Sequence, residues 1–312
     1  MENTYCPLCK GSKIIKLEKI EVKDINNLYL RFYHLDISHL FSQEHIYYCK
    51  CENCFLKFFD PSVIGDENFY KVLQKTSLYY MEDKEEYEFA SKFIFPSDNV
   101  LDVGCGKGVF SKKINCNSFT GLELSTNAKE IAEMDGIKII NESIQDHCLY
   151  NKEKYDVVCT FQVLEHVDCK ILYDFLMAMI VSIKKNGLLI ISVPSDDSFV
   201  GKAANGTLNL PPHHQTRWPD KTLKEIAKIF KLEILDLHHD RISQRNKEEY
   251  LYENIFYMST RKHTLISKKR NIIQKISLRL LKHLNTRFKL FFVDRIKPHG
   301  HSVTAVYKKI SN

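Results

Sequence analysis

From Asn99 onward the chain alternates short apolar runs with stretches in which apolar residues recur every three or four positions. The runs predict strands at Asn99–Val103, Ser118–Leu122, Ile137–Ile140, Tyr155–Thr160, Leu188–Val193, Lys231–Leu237 and Ser302–Tyr307. The periodic stretches between them predict helices at Val109–Ile114, Thr126–Asp135, Lys170–Lys184 and Thr222–Phe230. Alternation of this kind builds an α/β, doubly wound, seven-stranded Rossmann-like sheet, whose final strand here returns after a long excursion. Upstream the pattern differs. Residues 1–60 are Cys-rich and strand-like, and the polar, Tyr- and Glu-rich stretch 66–93 reads as a helical connector. The expected organisation is a small module over 1–60, a connector over 61–98 and the α/β domain over 99–312, with inserts at about 195–220 and 241–298.

Composition narrows the class. With 44% hydrophobic and 12% aromatic residues in 312, the chain has ample surface to bury, which excludes disorder as its main state. No apolar stretch approaches the ~20 residues of a spanning helix, which excludes a polytopic membrane protein. The first residues, MENTYCPLCK, lack a basic start followed by an apolar run, so no secretion signal is read and a reducing cytoplasmic location is expected. The net charge of +6 hides an asymmetry: from Arg241 onward there are 17 Lys and Arg against 4 Asp and Glu. A basic C-terminal stretch points to an anionic partner more than the overall charge does.

The chemistry concentrates first at Val100–Phe110, where an apolar strand runs into Gly104-x-Gly106-x-Gly108 and a helix follows. Glycines let the backbone turn tightly and approach a ligand, and the helix start offers free N–H groups. The next strand ends at Glu123, placed to accept the hydroxyls of a ribose. A Walker A loop is excluded: Leu101 stands where its first glycine belongs, and Gly108 replaces the Ser or Thr after the lysine. The dinucleotide spacing G-x-G-x-x-G is absent too, and Asp102, two residues before the first glycine, suits a cationic or amine-bearing ligand better than a pyrophosphate.

Leu101–Gly108 resembles motif I of class I S-adenosylmethionine (SAM)-dependent methyltransferases. Tyr155–Val167 resembles their fourth-strand motif and Lys185–Pro194 their fifth-strand motif, so the likeness covers about 99–240 and the last strand. The resemblance implies that Asp102, Gly104, Cys105 and Gly106 shape the pocket for the methionine part of SAM. It also implies that Glu123 binds the ribose and Leu124 flanks the adenine. Phe161 and Gln162 would face the sulfonium. The acid expected near the adenine amine is replaced by Ser143, so Ser143 and Ile144 would serve through backbone or side-chain groups.

Cys6-Pro-Leu-Cys9 and Cys51-Glu-Asn-Cys54 are two C-x2-C knuckles, the pattern of a closed four-thiolate structural zinc site. The 41 residues between them exceed the usual ribbon spacing, and Cys49 competes with Cys51 as a ligand. Unligated buried thiols are the alternative. The layout resembles methyltransferases with an N-terminal zinc-ribbon-like module, several of which modify sugars or surface glycans. The segment Asn209–Pro219, with His213, His214, Arg217 and the only Trp, lies in the loop that in this fold covers the acceptor, and it resembles a stretch of the same enzymes. A histidine is the natural base for a hydroxyl acceptor, and either His213 or His214 is a candidate; capping of the following helix is the structural alternative. Gln162-x-x-Glu165-His166 partly resembles a metal motif of small-RNA 2′-O-methyltransferases. Gln162 in place of the first carboxylate weakens a magnesium-like site, leaving Glu165 and His166 as acceptor-lining or structural residues.

Finally, Ile273, Ile276, Leu280, Leu284, Phe288 and Phe291 recur at helical spacing among basic residues. Such a basic amphipathic segment, 264–293, serves as a lid over the acceptor, as a peripheral contact with an anionic membrane surface, or as a nucleic-acid grip. No aromatic stacking platform accompanies it, which disfavours nucleic acid. The reading is a SAM-dependent methyltransferase acting on a saccharide or nucleotide sugar. An RNA methyltransferase and a non-enzymatic SAM-binding scaffold are the alternatives.

Overall fold

The computed structural model describes residues 5–74, 84–243, 246–247, 250–251, 264–266 and 298–310. In chain order the N-terminal part contains β1 (Ile14–Glu21), α1 (Val22–Tyr33), β2 (His45–Cys51), β3 (Lys57–Asp60) and α2 (Glu67–Gln74). The rest contains α3 (Glu85–Ser91), β4 (Asn99–Val103), β5 (Ser118–Leu122), α4 (Thr126–Met134), β6 (Ile139–Ile140), α5 (Ile144–Tyr150), β7 (Tyr155–Phe161) and α6 (Leu172–Ser182). Then come β8 (Ile183–Pro194), α7 (Phe199–Lys202), β9 (Thr216–Arg217), α8 (Asp220–Phe230), β10 (Leu232–Arg241) and β11 (His299–Lys309).

The main sheet has seven strands in the order β10-β11-β8-β7-β4-β5-β6. Pairs β4–β5, β4–β7, β5–β6 and β7–β8 are parallel, and β11 runs antiparallel between β8 and β10. Strand order therefore reverses between β4 and β7, and a crevice opens there beyond their carboxyl ends. β4 and β7 are buried along almost their whole length, which is why they are mostly apolar and lack a regular apolar-polar alternation. The helices cover both faces. α8 turns Leu223, Ile226 and Ala227 inward, at helical spacing, and Lys231 ends it in the left-handed conformation at φ 53°. The predicted helix at Val109–Ile114 is instead a 3-10 turn over Val109–Lys113. α5 was not expected; Ser143 starts it by accepting from the backbone N–H of Asp146, a local cap rather than a long periodic stretch.

The first 60 residues are not all strand-like, which corrects the sequence reading. Val22, Ile25 and Tyr29 form the buried face of the twelve-residue α1. The connector carries α2 and α3, and the residues between them lie outside the described set. β1, β2 and β3 form an antiparallel sheet whose fourth strand is β9, from the loop after β8. One continuous core joins the two sheets: Cys6, Leu8, Leu56 and Phe58 pack in the same cluster as Leu101, Val158, Met179 and Trp218. The apolar stripe from Ile273 to Phe291 lies outside the described residues, and no helix among the described residues is long and apolar enough to cross a membrane.

Candidate functional site

A cleft of about 2200 Å³ opens at the carboxyl ends of β4, β5 and β7. Its floor is the glycine turn. Gly104 at φ 73°, Gly106 at 54° and Gly108 at 71° all occupy the left-handed region. A Cβ on Gly104 would also stand 2.5 Å from Val163 Cγ2, so both space and conformation demand glycine there. The turn is tied to β5, since the Gly104 and Cys105 N–H groups both donate to Leu122 O. Glu123 braces it from the far side: its carboxylate accepts from Gly106 N at 2.9 Å and from Ser125 N at 2.8 Å.

Asp102 sits beneath the turn at 2% exposure, and its Oδ1 has no hydrogen-bond partner. Burial pushes its carboxyl up to about 7, against opposing contributions from Cys159 and Lys84. Glu86 (1% exposed), from α3, reaches the same crevice, accepting from Gln162 Nε2 at 2.7 Å and from the Ser192 hydroxyl. The cleft is also lined by Glu165 and Asp240, whose burial raises each to about 8. Buried acids crowded around an open cleft favour a cationic ligand. Tyr87, Phe110 and Phe161 pack together at 4.7–5.3 Å between ring centroids; Tyr87 and Phe161 line the cleft and the buried Phe110 backs them.

The structure brings the expected cofactor-side residues together. Gly104, Cys105, Gly106, Glu123, Leu124, Ser143, Ile144, Phe161 and Gln162 all line the one cleft, with Asp102 behind them. Besides Glu123, two more of these side chains are already engaged. The Ser143 hydroxyl caps α5 and donates to Asp146 at 2.6 Å, and Gln162, at φ 58°, gives its amide to Glu86. Glu86 and Tyr87 were missed by sequence reasoning; α3 is a polar helix on its own and enters the site only through tertiary packing.

On the opposite side of the cleft stand His166, His213 and His214. Two loops meet there. Gln215 N donates to Glu165 O at 2.7 Å, the Thr216 hydroxyl to Leu164 O at 3.3 Å, and His166 Nδ1 to His213 O at 2.8 Å. The three imidazole rings lie 4.4–4.8 Å apart by centroid. Desolvation lowers all three, His166 to about 4, so they are neutral and weakly basic in the closed loop. Neither His213 nor His214 caps α8, whose N-cap is Pro219. Trp218 is fully buried and donates to Thr216 Oγ1 at 2.9 Å, so it is a core residue rather than a cleft wall. Arg217 likewise turns inward, ion-paired with Asp196 at 2.9 Å, and Asp196 also accepts from Lys57 at 2.6 Å.

The two C-x2-C knuckles close on each other. Cys6 Sγ lies 3.4 Å from Cys54 Sγ and Cys9 Sγ 3.6 Å from Cys51 Sγ, and all four sulfurs lie within 4.8 Å of one another. The two knuckles share one geometry: Lys10 N donates to Cys6 O and Phe55 N to Cys51 O, and Lys10 and Phe55 both have positive φ. Sulfurs bound to one tetrahedral zinc at ~2.3 Å would be about 3.8 Å apart, so the donor set and spacing are compatible with zinc. Cys49 does not join the cluster; its thiol is directed to Tyr47 O at 3.8 Å.

A family profile described as "Methyltransferase domain" matches residues 77–237. The ubiquinone biosynthesis O-methyltransferase of Glaesserella parasuis serovar 5 (strain SH0165) is 28% identical over 155 residues, covering 46% of this chain and 61% of that protein. The enzyme of the same name from Vibrio atlanticus (strain LGP32) is 33% identical over 98 residues, covering 29% of this chain and 38% of that protein. The chain thus spans about three fifths or less of the length of these curated relatives. A crystal structure of a SAM-dependent methyltransferase from Archaeoglobus fulgidus superposes with a TM-score of 0.52 at 16% identity, over 77% of this chain and 100% of that one, a likeness of fold. The matched segment contains the glycine turn, the braced Glu123 and the strand-order reversal at β4 and β7, and the chain belongs to the methyltransferase domain family.

Proposed function

We propose that the protein transfers a methyl group from SAM to a hydroxyl of a saccharide or nucleotide-sugar acceptor. The observation that carries the donor assignment is Asp102: a buried carboxylate with an unpartnered oxygen under a glycine turn, in a cleft rich in acids. The donor's ammonium and sulfonium complement those acids, and Glu123 stands where a ribose would offer its hydroxyls. Methyl transfer is an in-line displacement that leaves a neutral thioether, so the protein's main contribution is alignment of the two substrates. The acceptor's place is the side of the cleft lined by Glu165, His166, His213 and His214, with Asn205, Thr207 and Asn209 adding amide and hydroxyl groups suited to a polyol. His213 or His214 would take the hydroxyl proton as the methyl arrives.

In the same reading Cys6, Cys9, Cys51 and Cys54 hold one structural zinc, which cross-links the start of the chain to the end of β2 with no position left open for chemistry. A second reading of the acceptor follows from the relatives' printed role, a hydroxyl on an intermediate of ubiquinone biosynthesis. The test is incubation with isotopically labelled SAM against panels of nucleotide sugars, glycans, quinone precursors and RNA, followed by product mass and fragmentation. Label on a sugar oxygen supports the saccharide, label on a quinone precursor replaces it with the second reading, and label on RNA or on none of the panel removes it.

A further inference from the structure

The three histidines facing the acceptor side are arranged as ligands. His166 comes from the turn after β7, and His213 and His214 come from the loop before β9. Each offers a ring nitrogen, and these atoms all lie within 4.8 Å of one another. The tautomers are set by the backbone. His166 Nδ1 faces His213 O at 2.8 Å and His213 Nδ1 faces Leu208 O at 2.9 Å. A carbonyl oxygen only accepts, so both Nδ1 atoms carry the proton and both rings carry their lone pair on Nε2. Orientation of imidazoles by backbone carbonyls is how metal-binding histidines are held before the ion arrives. The loop-to-loop bonds at Gln215, Thr216 and His166 fix the spacing.

An independent observation points to a cation. Glu165 is 1% exposed, its Oε2 has no hydrogen-bond partner, and its Oε1 lies 3.8 Å from His166 Nε2. Three clustered ring nitrogens beside an unsatisfied carboxyl oxygen form a donor-rich pocket open to the cleft. We propose that His166, His213 and His214 bind a divalent first-row transition cation, distinct from any metal on the four cysteines. Imidazole donors suit zinc, iron(II), cobalt or nickel rather than magnesium. Three protein ligands leave a coordination position toward the cleft, where an acceptor oxygen can bind. With the ion in place its charge acidifies a bound hydroxyl, whose proton leaves to water, and the imidazoles then act as ligands instead of proton acceptors. Cation binding itself needs no SAM.

Cobalt(II) is the probe. The full chain is titrated with it and followed by visible absorption. Cobalt on imidazole shows ligand-field bands without the sulfur-to-metal charge-transfer bands of a thiolate site. One such sulfur-free equivalent is expected, with affinity at least about tenfold weaker in His166→Gln and in His214→Ala. SAM affinity of these variants, measured by calorimetry, is expected to stay at the parental value. Absence of a sulfur-free band, or identical titrations in parent and variants, overturns the site. Should both variants fail to fold, the cobalt-loaded parent decides by proton NMR. Hyperfine-shifted, exchangeable imidazole N–H signals support the site, and their absence overturns it. A parent that binds cobalt but not SAM would sink the methyl-transfer reading and leave this one standing.

Discussion

Asp102 is an ionisable side chain held where its charge is penalised. Its carboxyl titrates near 7 instead of the ordinary 3.8, chiefly because burial penalises the charge. The folded donor-free protein therefore keeps a proton that the unfolded chain has released across that interval. Its contribution to stability should be full below pH 3.8, decline as pH rises toward about 7 and stay lost above it. A cationic donor needs the ionised form, so SAM binding at pH 6 should release a proton. Calorimetry in buffers of different ionisation enthalpy measures this, and a buffer-independent enthalpy would contradict it. Asp102→Asn should weaken SAM binding by about 10–100-fold, the worth of a charge-assisted hydrogen bond. An unchanged Kd would refute the donor pocket. Gly104→Ala meets both Val163 and a positive φ, so it should cost about 2 kcal/mol or more, read as a lowered urea midpoint.

At the scale of elements, the two C-x2-C turns and the strands between them form one unit. β1 pairs with β2, β2 with β3, and β3 with β9, which leads directly from the histidine loop. Metal analysis of the purified chain should find zinc that Cys6→Ser removes; a folded, metal-free parent would eliminate the zinc reading. Because β9 is held on β3, loss of that zinc should also loosen the acceptor side of the cleft, seen as faster amide exchange at Thr216 and Arg217. Exchange confined to the cysteine turns would show the two to be uncoupled. On the same loop, replacing both His213 and His214 by alanine should reduce turnover by about 10²-fold or more while SAM affinity holds. Full activity in that variant would place the acceptor elsewhere.

For the molecule as a whole, the half-buried Lys57 and the buried pair Asp196–Arg217 form an ionic trio that joins the small sheet to the carboxyl end of the large one. Arg217→Ala leaves Lys57 to hold the Asp196 carboxylate and should cost about 1–3 kcal/mol, read as a lowered urea midpoint. The shared core predicts one cooperative unfolding transition rather than two; separate calorimetric transitions for the N-terminal and α/β parts would deny that the core is shared. The polar, acid-rich cleft and the ionic trio belong to this scale, since each draws residues from segments that are far apart in sequence.

How much of this was legible beforehand follows from the range of the forces involved. Strands β4 and β5 match their expected bounds residue for residue; β4 is buried from Val100 onward and ends at a glycine turn with a local conformational cause, and β5 is buried from Thr120 to Leu122. The four knuckle cysteines were readable for a local reason as well, since a spacing of three residues lets both thiols of one turn face a common point, two corners of a tetrahedron. α1 and α5 were not, since a short half-exposed helix leaves only a weak periodicity and a cap. The inward turn of Trp218 and Arg217, the arrival of Glu86 at the cleft and the convergence of His166 with His213 and His214 depend on which loops pack together. Local sequence sets where backbone hydrogen bonds close within a segment; only packing between distant segments decides which polar groups are buried side by side, and here that packing makes the site.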